Sequence, residues 1–297
     1  MKTRALVTGA NGMLADAFNP LLKNAGYDIY LTDINGIDNK QIFPMDITDA
    51  ADVHKVIMGI NPDIIFHLAA ETDVDKCELK PEHAYETNAR GTENMALAAK
   101  DINALFVYIS TGSVFNGEKP EPYIESDKPD PISVYGKSKF EGERIVASLL
   151  DRYYIFRAGW MIGGYEKDKK FVAKIVDLAK IKKEILVVMD KFGSPTFTRD
   201  FSKGIISVVP TEKYGLYHMA NKGSCSRLDI AQKIIEYLGK KDVAIKPITS
   251  EAFPLPAPRG RSEMLSNHRL TLIGLNHMRP WQEALKEYIS EIKERYE

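Results

Sequence analysis

Tyr135 and Lys139 stand four residues apart in the segment SVYGKSKFEGE, and Thr111 precedes them in ISTGSVFNG. On a helix, residues spaced by four share one face, a turn apart. A phenol with a pKa of about 10 is a poor acid at neutral pH. A neighbouring ammonium, and the positive ring of an oxidised nicotinamide, are expected to lower that value. Tyr135 is then suited to protonate a carbonyl oxygen while a hydride reaches the carbon. Thr111, just beyond a strand, is placed to hydrogen-bond the same oxygen. A Tyr–Lys pair alone is commonplace on surface helices. It gains meaning from the glycine-rich turn VTGANGMLA at residues 7–15.

That turn has the context of a dinucleotide site: a strand ending at Thr8, Gly9 and Gly12, small Ala15, then a helix. Gly9 permits a tight turn, Gly12 lets backbone approach a pyrophosphate, and Ala15 allows close helix–sheet contact. Free N–H groups through Asn11, Gly12, Met13 and Leu14, together with the helix dipole, favour phosphates. Asp33 follows the second strand about 20 residues on, where a carboxylate accepts bonds from ribose hydroxyls. It would repel a 2′-phosphate, so NAD(H) is the expected cofactor and NADP(H) the secondary one. Asp46 and Ile47 are candidates to flank an adenine, although an acid there also suits the start of a helix. Leu68, Ala69 and Ala70, after the third strand, complete the expected cofactor contacts.

The elements that must position these residues alternate regularly through the first half. Strands are expected at Arg4–Thr8, Asp28–Thr32, Asp63–His67, Leu105–Ser110 and near Tyr154–Arg157. Helices are expected at Met13–Asn24, Ala50–Ile60, Glu82–Lys100 and Ile132–Leu150. Continuously apolar strands alternating with helices imply an α/β fold, a Rossmann-type doubly wound parallel sheet. Beyond residue 160 the pattern loosens into helices near Lys170–Lys182, Arg199–Val208, Arg227–Leu238 and Pro280–Tyr296, with strands at Ile185–Met189 and Leu216–Met219. A division follows: 1–160 binds the cofactor, and 161–297 forms a smaller C-terminal α/β substrate domain whose chain crosses back to the first. The Pro-rich stretch AFPLPAPRGRSEM reads as an ordered loop or lid. Within it, Arg259 and Arg261 are candidates to clamp a pyrophosphate, or else are exposed loop residues.

Bulk composition narrows the partners. With 40 basic and 41 acidic residues the net charge is −1, which gives no electrostatic reason to expect nucleic acid. Cys77 and Cys225 are too few for a disulfide framework and fit a reducing, cytoplasmic location. No apolar run approaches the ~20 residues that span a bilayer, and the short apolar start breaks at Thr8 and Gly9, unlike a signal peptide. The six histidines show no metal-ligand spacing, so no metal is expected. His67, ending an apolar strand, reads as a packed residue.

The combination of glycine turn, Thr111, Tyr135 and Lys139 resembles the extended short-chain dehydrogenase/reductase superfamily, nearly end to end. It is most similar to the dTDP-4-dehydrorhamnose reductase family, through HLAAETDVDKCE, STGSVFNG, YGKSKFEGE, RAGWMIG, DKFGSPTFTRD, GLYHMANKGSCS and PWQEALKEYI. The resemblance implies reduction of a nucleotide-linked 4-keto-6-deoxyhexose, the step that yields dTDP-L-rhamnose. It implies that Thr111, Tyr135 and Lys139 are catalytic, that Ser113, Trp160 and Arg259 face the substrate, and that Asn88 supports the lysine. The chain departs from the family's pattern in Gly112-Ser113 after Thr111, in Lys191, in Gly260 and in Glu71. These departures bear on the sugar more than on the reaction.

Other readings fit the same residues. Sugar-nucleotide 4,6-dehydratases carry acids directly after the threonine, where this chain has Gly112 and Ser113. A 4-epimerase needs no such acids, and would keep NAD tightly bound without net consumption. A non-catalytic role, like that of the regulatory beta subunit of methionine adenosyltransferase, leaves the motif in place but unused. A homodimer is the expected assembly.

Overall fold

The structure, a computed structural model, describes residues 2–37 and 41–296. The first half runs β1 (Arg4–Thr8), α1 (Met13–Asn24), β2 (Asp28–Asp33), β3 (Ile42–Pro44), α2 (Ala50–Ile60) and β4 (Ile64–His67). It continues through α3 (Val74–Leu79), α4 (Pro81–Tyr85), α5 (Gly91–Asp101), β5 (Leu105–Thr111), α6 (Val134–Leu149) and β6 (Tyr153–Ala158). Then follow β7 (Trp160–Ile162), α7 (Phe171–Ile181), β8 (Glu184–Val188), β9 (Phe192–Gly193), β10 (Pro195–Phe197) and α8 (Thr198–Val208). The chain closes with β11 (Gly215–His218), β12 (Cys225–Ser226), α9 (Arg227–Leu238), β13 (Ala244–Ile248), β14 (Ser262–Glu263), α10 (His268–Leu272) and α11 (Trp281–Tyr296).

Seven strands form one sheet in the order β11-β6-β5-β4-β1-β2-β3. Every neighbouring pair is parallel. The inner strands are apolar without alternation because helices cover both faces: every residue of Ile64–His67 is buried. On one face, Phe18 of α1 meets Phe66 of β4 edge-on at 4.8 Å between ring centroids. On the other, Ile57, Met95 and Val146 bring α2, α5 and α6 onto the sheet. Strand order reverses between β1 and β4, and this switch opens a crevice at the carboxyl ends of the strands.

The boundary at residue 160 is crossed by the chain. Phe201, Ile205 and Val208 of α8 and Tyr217 of β11 pack with Phe18, Leu22 and Phe156 in the first core. β11 is the seventh strand of the large sheet. A separate core, with Val172, Ile175, Val187, Ile230, Ile234, Leu285 and Ile289, joins α7, β8, α9 and α11. Among the described residues, no helix is long and apolar enough to cross a membrane.

The structure departs locally from the expected elements. The continuous helix expected over Glu82–Lys100 is interrupted by a π-helical turn at Glu86–Arg90, a feature that periodicity does not register because one inserted residue leaves the approximate pattern intact. β3 was not expected; only Ile42 of its three residues is buried, too little for a pattern. The helix expected from Ile132 starts at Val134, where the Ser133 hydroxyl accepts the Gly136 N–H.

Two stability predictions arise from buried charge. Arg157 on β6 donates from Nε and Nη2 to the two carboxylate oxygens of Glu143 on α6, at 2.8 and 2.6 Å, with both side chains under 5% exposed. Glu143→Ala would strand a buried guanidinium and is expected to cost about 3–5 kcal/mol. Urea denaturation would read this as a lower midpoint at unchanged slope.

His67 and His218 are each pushed down to about 3, chiefly by burial and then by the charges of Lys139 and Arg157 respectively. Both are neutral in the fold but protonate near 6.5 when unfolded. Their stabilising contribution is therefore complete above pH 6.5 and is lost as pH falls towards 3. The thermal midpoint should already decline between about pH 6.5 and 5, above the carboxylate range. His218→Gln should flatten that decline.

Candidate active site

The glycine turn is shaped as a phosphate cradle. Gly9 has φ of +63°, and a Cβ there would lie 2.8 Å from the Ala69 backbone, so only glycine allows the turn to rest on the loop after β4. Gly12 is the N-cap of α1 and supplies no side-chain capping bond. The N–H groups of Met13, Leu14 and Ala15, the first three of α1, thus have no acceptor within the helix, and Asp16 is the first to reach the Gly12 carbonyl. Asp33 ends β2, and its carboxylate accepts the Asn11 N–H at 3.0 Å, which fixes it beside the turn. Gly9, Gly12, Met13, Leu14, Asp33, Asp46, Ile47, Leu68, Ala69 and Ala70 all line one cleft of about 1090 Å³. Asn11 does not. Its backbone N–H is donated to the Asp33 carboxylate. Asp46 is turned partly on itself, accepting from the Thr48 N–H and hydroxyl at 2.9 and 2.8 Å. The cradle and the acid suit a dinucleotide.

Thr111, Tyr135 and Lys139 line the same cleft. A Cβ on Gly136 would lie 2.2 Å from the Ser113 carbonyl oxygen, so the missing side chain lets α6 begin against the turn after β5. This contact carries Tyr135 towards Thr111, whose hydroxyl acts on the phenol. Lys139, one turn later, is 3% exposed and its Nζ sits 4.1 Å above the Tyr108 ring. Asn88, on the π turn, accepts the Glu71 N–H at 2.9 Å and donates to the Glu71 carbonyl and the Ser138 hydroxyl at 3.0 and 3.1 Å. It ties α6 to the loop that follows β4.

The expected direction of the Tyr135 pKa is corrected by this geometry. Burial raises it, and the Thr111 hydrogen bond opposes that effect without overcoming it. Burial also pulls Lys139 down to about 7. In the protein alone, desolvation is the leading effect on both groups. The phenol is consequently neutral and retains its proton.

Ser113, Trp160 and Arg259 also reach the cleft, with partners that sequence reasoning missed. Ser113 donates its hydroxyl to Glu263 at 2.5 Å, and Trp160 donates its indole N–H to the other Glu263 oxygen at 2.6 Å. The guanidinium of Arg227 stacks 3.6 Å from the Trp160 ring. Arg259 forks onto Asp75 at 2.9 and 3.0 Å, holding the Pro-rich loop against α3. It is therefore occupied by a carboxylate in this structure rather than presented freely to a pyrophosphate. Lys191 donates to the Arg259 carbonyl at 2.8 Å and steadies the same loop. Glu71 pairs with Lys76 at 2.5 Å and His83 at 3.2 Å. Glu263 lies 150 residues from Ser113, in a two-residue strand too short to show periodicity, and no local signal could have found it. Among the described residues, no three His, Cys, Asp or Glu side chains are grouped to hold a metal ion.

Comparison with known proteins places these features. A family model described as the RmlD substrate binding domain matches residues 3–294. The spore coat polysaccharide biosynthesis protein SpsK of Bacillus subtilis (strain 168) is 36% identical over 97% of this chain and 98% of its own length. A dTDP-4-dehydrorhamnose reductase from Clostridium acetobutylicum ATCC 824 superposes with a TM-score of 0.91 at 38% identity, covering 98% of this chain and 100% of that one. A dTDP-4-dehydrorhamnose reductase from Bacillus anthracis str. Ames, solved in complex with NADP, gives a TM-score of 0.90 at 38% identity with the same coverages. The resemblance read from the motifs and the Rossmann-type sheet are both borne out.

Proposed function

Since this chain belongs to the family of the RmlD substrate binding domain, we propose that it is an NAD(P)H-dependent oxidoreductase of the extended short-chain dehydrogenase/reductase type. Its reaction is reduction of the C4 carbonyl of a nucleotide-linked 4-keto-6-deoxyhexose, as in a dTDP-4-dehydrorhamnose reductase. The observation that carries this reading is that Thr111, Tyr135 and Lys139 line one cleft with the glycine cradle and Asp33.

When bound, the reduced nicotinamide supplies the hydride. Tyr135 holds the proton that ends on the C4 oxygen, and the Thr111 hydroxyl, which rests on Ser113 in this structure, can turn to offer a second donor to that oxygen. Lys139 lies one turn along the same helix face, where its charge stabilises the phenolate left after transfer. Glu71 and Ser138, joined through Asn88, keep α6 in register with the cofactor loop. Asp33 selects the adenine ribose, which favours NADH although one relative is solved with NADP. The two buried cysteines suit a reducing cytoplasm, and a homodimer is the assembly we expect.

The test is oxidation of NADH and NADPH with a panel of dTDP-, UDP-, GDP- and CDP-linked 4-ketosugars. Stoichiometric cofactor oxidation with formation of the 4-hydroxy sugar is the expected result. Interconversion of 4-epimers by protein that retains NAD, without net oxidation of NADH, would overturn the reading.

A further inference from the structure

The segment Thr111-Gly112-Ser113 carries no acid, yet a carboxylate reaches it through space. Glu263 ends β14, which pairs with β9 in the register Glu263↔Gly193. The Gly193 backbone in turn abuts the Trp160 ring, where a Cβ would lie 2.4 Å from the indole. Glu263 is thereby fixed by sheet pairing rather than left on a free loop. One oxygen accepts from Ser113 and the other from Trp160, at 2.5 and 2.6 Å. An ionised carboxylate offers about four acceptor sites and no donor. Acceptor capacity therefore remains on a side chain that lines the cleft.

The hydrogen bonds have a direction. Thr111 acts on the Tyr135 phenol and donates to Ser113 at 3.2 Å, and Ser113 donates to Glu263. One end of this row consists of hydroxyls that can turn to donate to a ligand, and the other is a carboxylate that only accepts. A 4-ketohexose has the same polarity on adjacent carbons: a carbonyl oxygen that only accepts, and a neighbouring hydroxyl that can donate. With the carbonyl at Tyr135 and Thr111, that hydroxyl is directed to the carboxylate end. Arg227, stacked on Trp160, offsets the negative charge held there.

We propose that Glu263 is a specificity-determining residue whose carboxylate accepts a hydrogen bond from the C3 hydroxyl, next to the carbonyl that is reduced. This inference rests on the proposed reductase function. It predicts discrimination against sugars that lack or block that hydroxyl.

The experiment is a cycle of two proteins and two substrates. Wild type and Glu263→Ala are assayed with a nucleotide-linked 4-keto-6-deoxyhexose and with its 3-deoxy analogue. Calorimetric affinity for the corresponding 4-hydroxy products serves as a second readout. Loss of a hydrogen bond to a charged acceptor should cost wild type about 10- to 100-fold in kcat/KM and in affinity for the 3-deoxy compounds. In Glu263→Ala the preference should shrink to within about threefold, and Glu263→Gln should lie between the two. Equal discrimination in wild type and Glu263→Ala would overturn the assignment and leave Glu263 as a brace for Ser113 and Trp160. Failure of wild type to reduce any 4-ketosugar would instead overturn the reductase reading, and this inference with it.

Discussion

Tyr135→Phe is expected to lower kcat by about 10²–10⁴-fold, the range that a positioned general acid contributes. The substitution removes one hydroxyl and preserves ring volume. Its partner Thr111 keeps other bonds: it still accepts the Ser113 N–H at 3.1 Å and donates to the Ser113 hydroxyl. No buried donor is orphaned, so stability should change by less than about 1 kcal/mol. NADH affinity, measured by fluorescence titration, should stay near that of wild type because the cradle around Gly9 and Gly12 is untouched. Near-normal turnover in this variant would remove Tyr135 from the chemistry. The same result would favour a binding role, in which case capture of a protein partner without keto-sugar turnover is the pattern to seek.

The second large effect concerns the cofactor. Asp33 is held beside the glycine turn by the Asn11 N–H, and the segment Ile34–Ile37 that follows carries no cation. Arg4 does not offset the acid, since it donates to the Ile60 carbonyl at 3.0 Å from the opposite end of β1. A 2′-phosphate carries roughly two negative charges and would meet Asp33 without compensation. Wild type should prefer NADH over NADPH by at least about tenfold in kcat/KM, the worth of a charge-assisted hydrogen bond. Asp33→Ser should lose about tenfold with NADH while gaining with NADPH. Equal or better kinetics with NADPH in wild type would sink this argument. Tyr135 and Asp33 can be tested separately, because they sit at opposite ends of the cofactor site.

Much of the fold was legible because its signals are local and repeated. Apolar runs in β1 and β4 reveal strands covered on both faces, and the spacing of Gly9, Gly12 and Asp33 is set by one βαβ unit. The pairing of Tyr135 with Lys139 needs only one helical turn. The π turn at Glu86–Arg90 was not legible, because an inserted residue in a helix leaves composition and approximate periodicity intact. The return of α8 and β11 to the first core was foreseen only as a crossing, since packing partners far apart in the chain leave no mark on each other's spacing.

At the site itself the division is sharper. By itself the sequence determined which groups can move a proton and bind a dinucleotide, because a helix of known pitch and a strand–turn–helix of known length already fix their mutual positions. Tertiary structure decided what surrounds them. Burial sets Tyr135 as a neutral donor and draws Lys139 down to about 7, since desolvation depends on every element packed around a group rather than on its neighbours in sequence. It also brings Glu263 to Ser113 and Trp160, and closes Arg259 onto Asp75. These contacts span 103 to 184 residues, and only the folded chain brings such distant side chains within hydrogen-bonding reach.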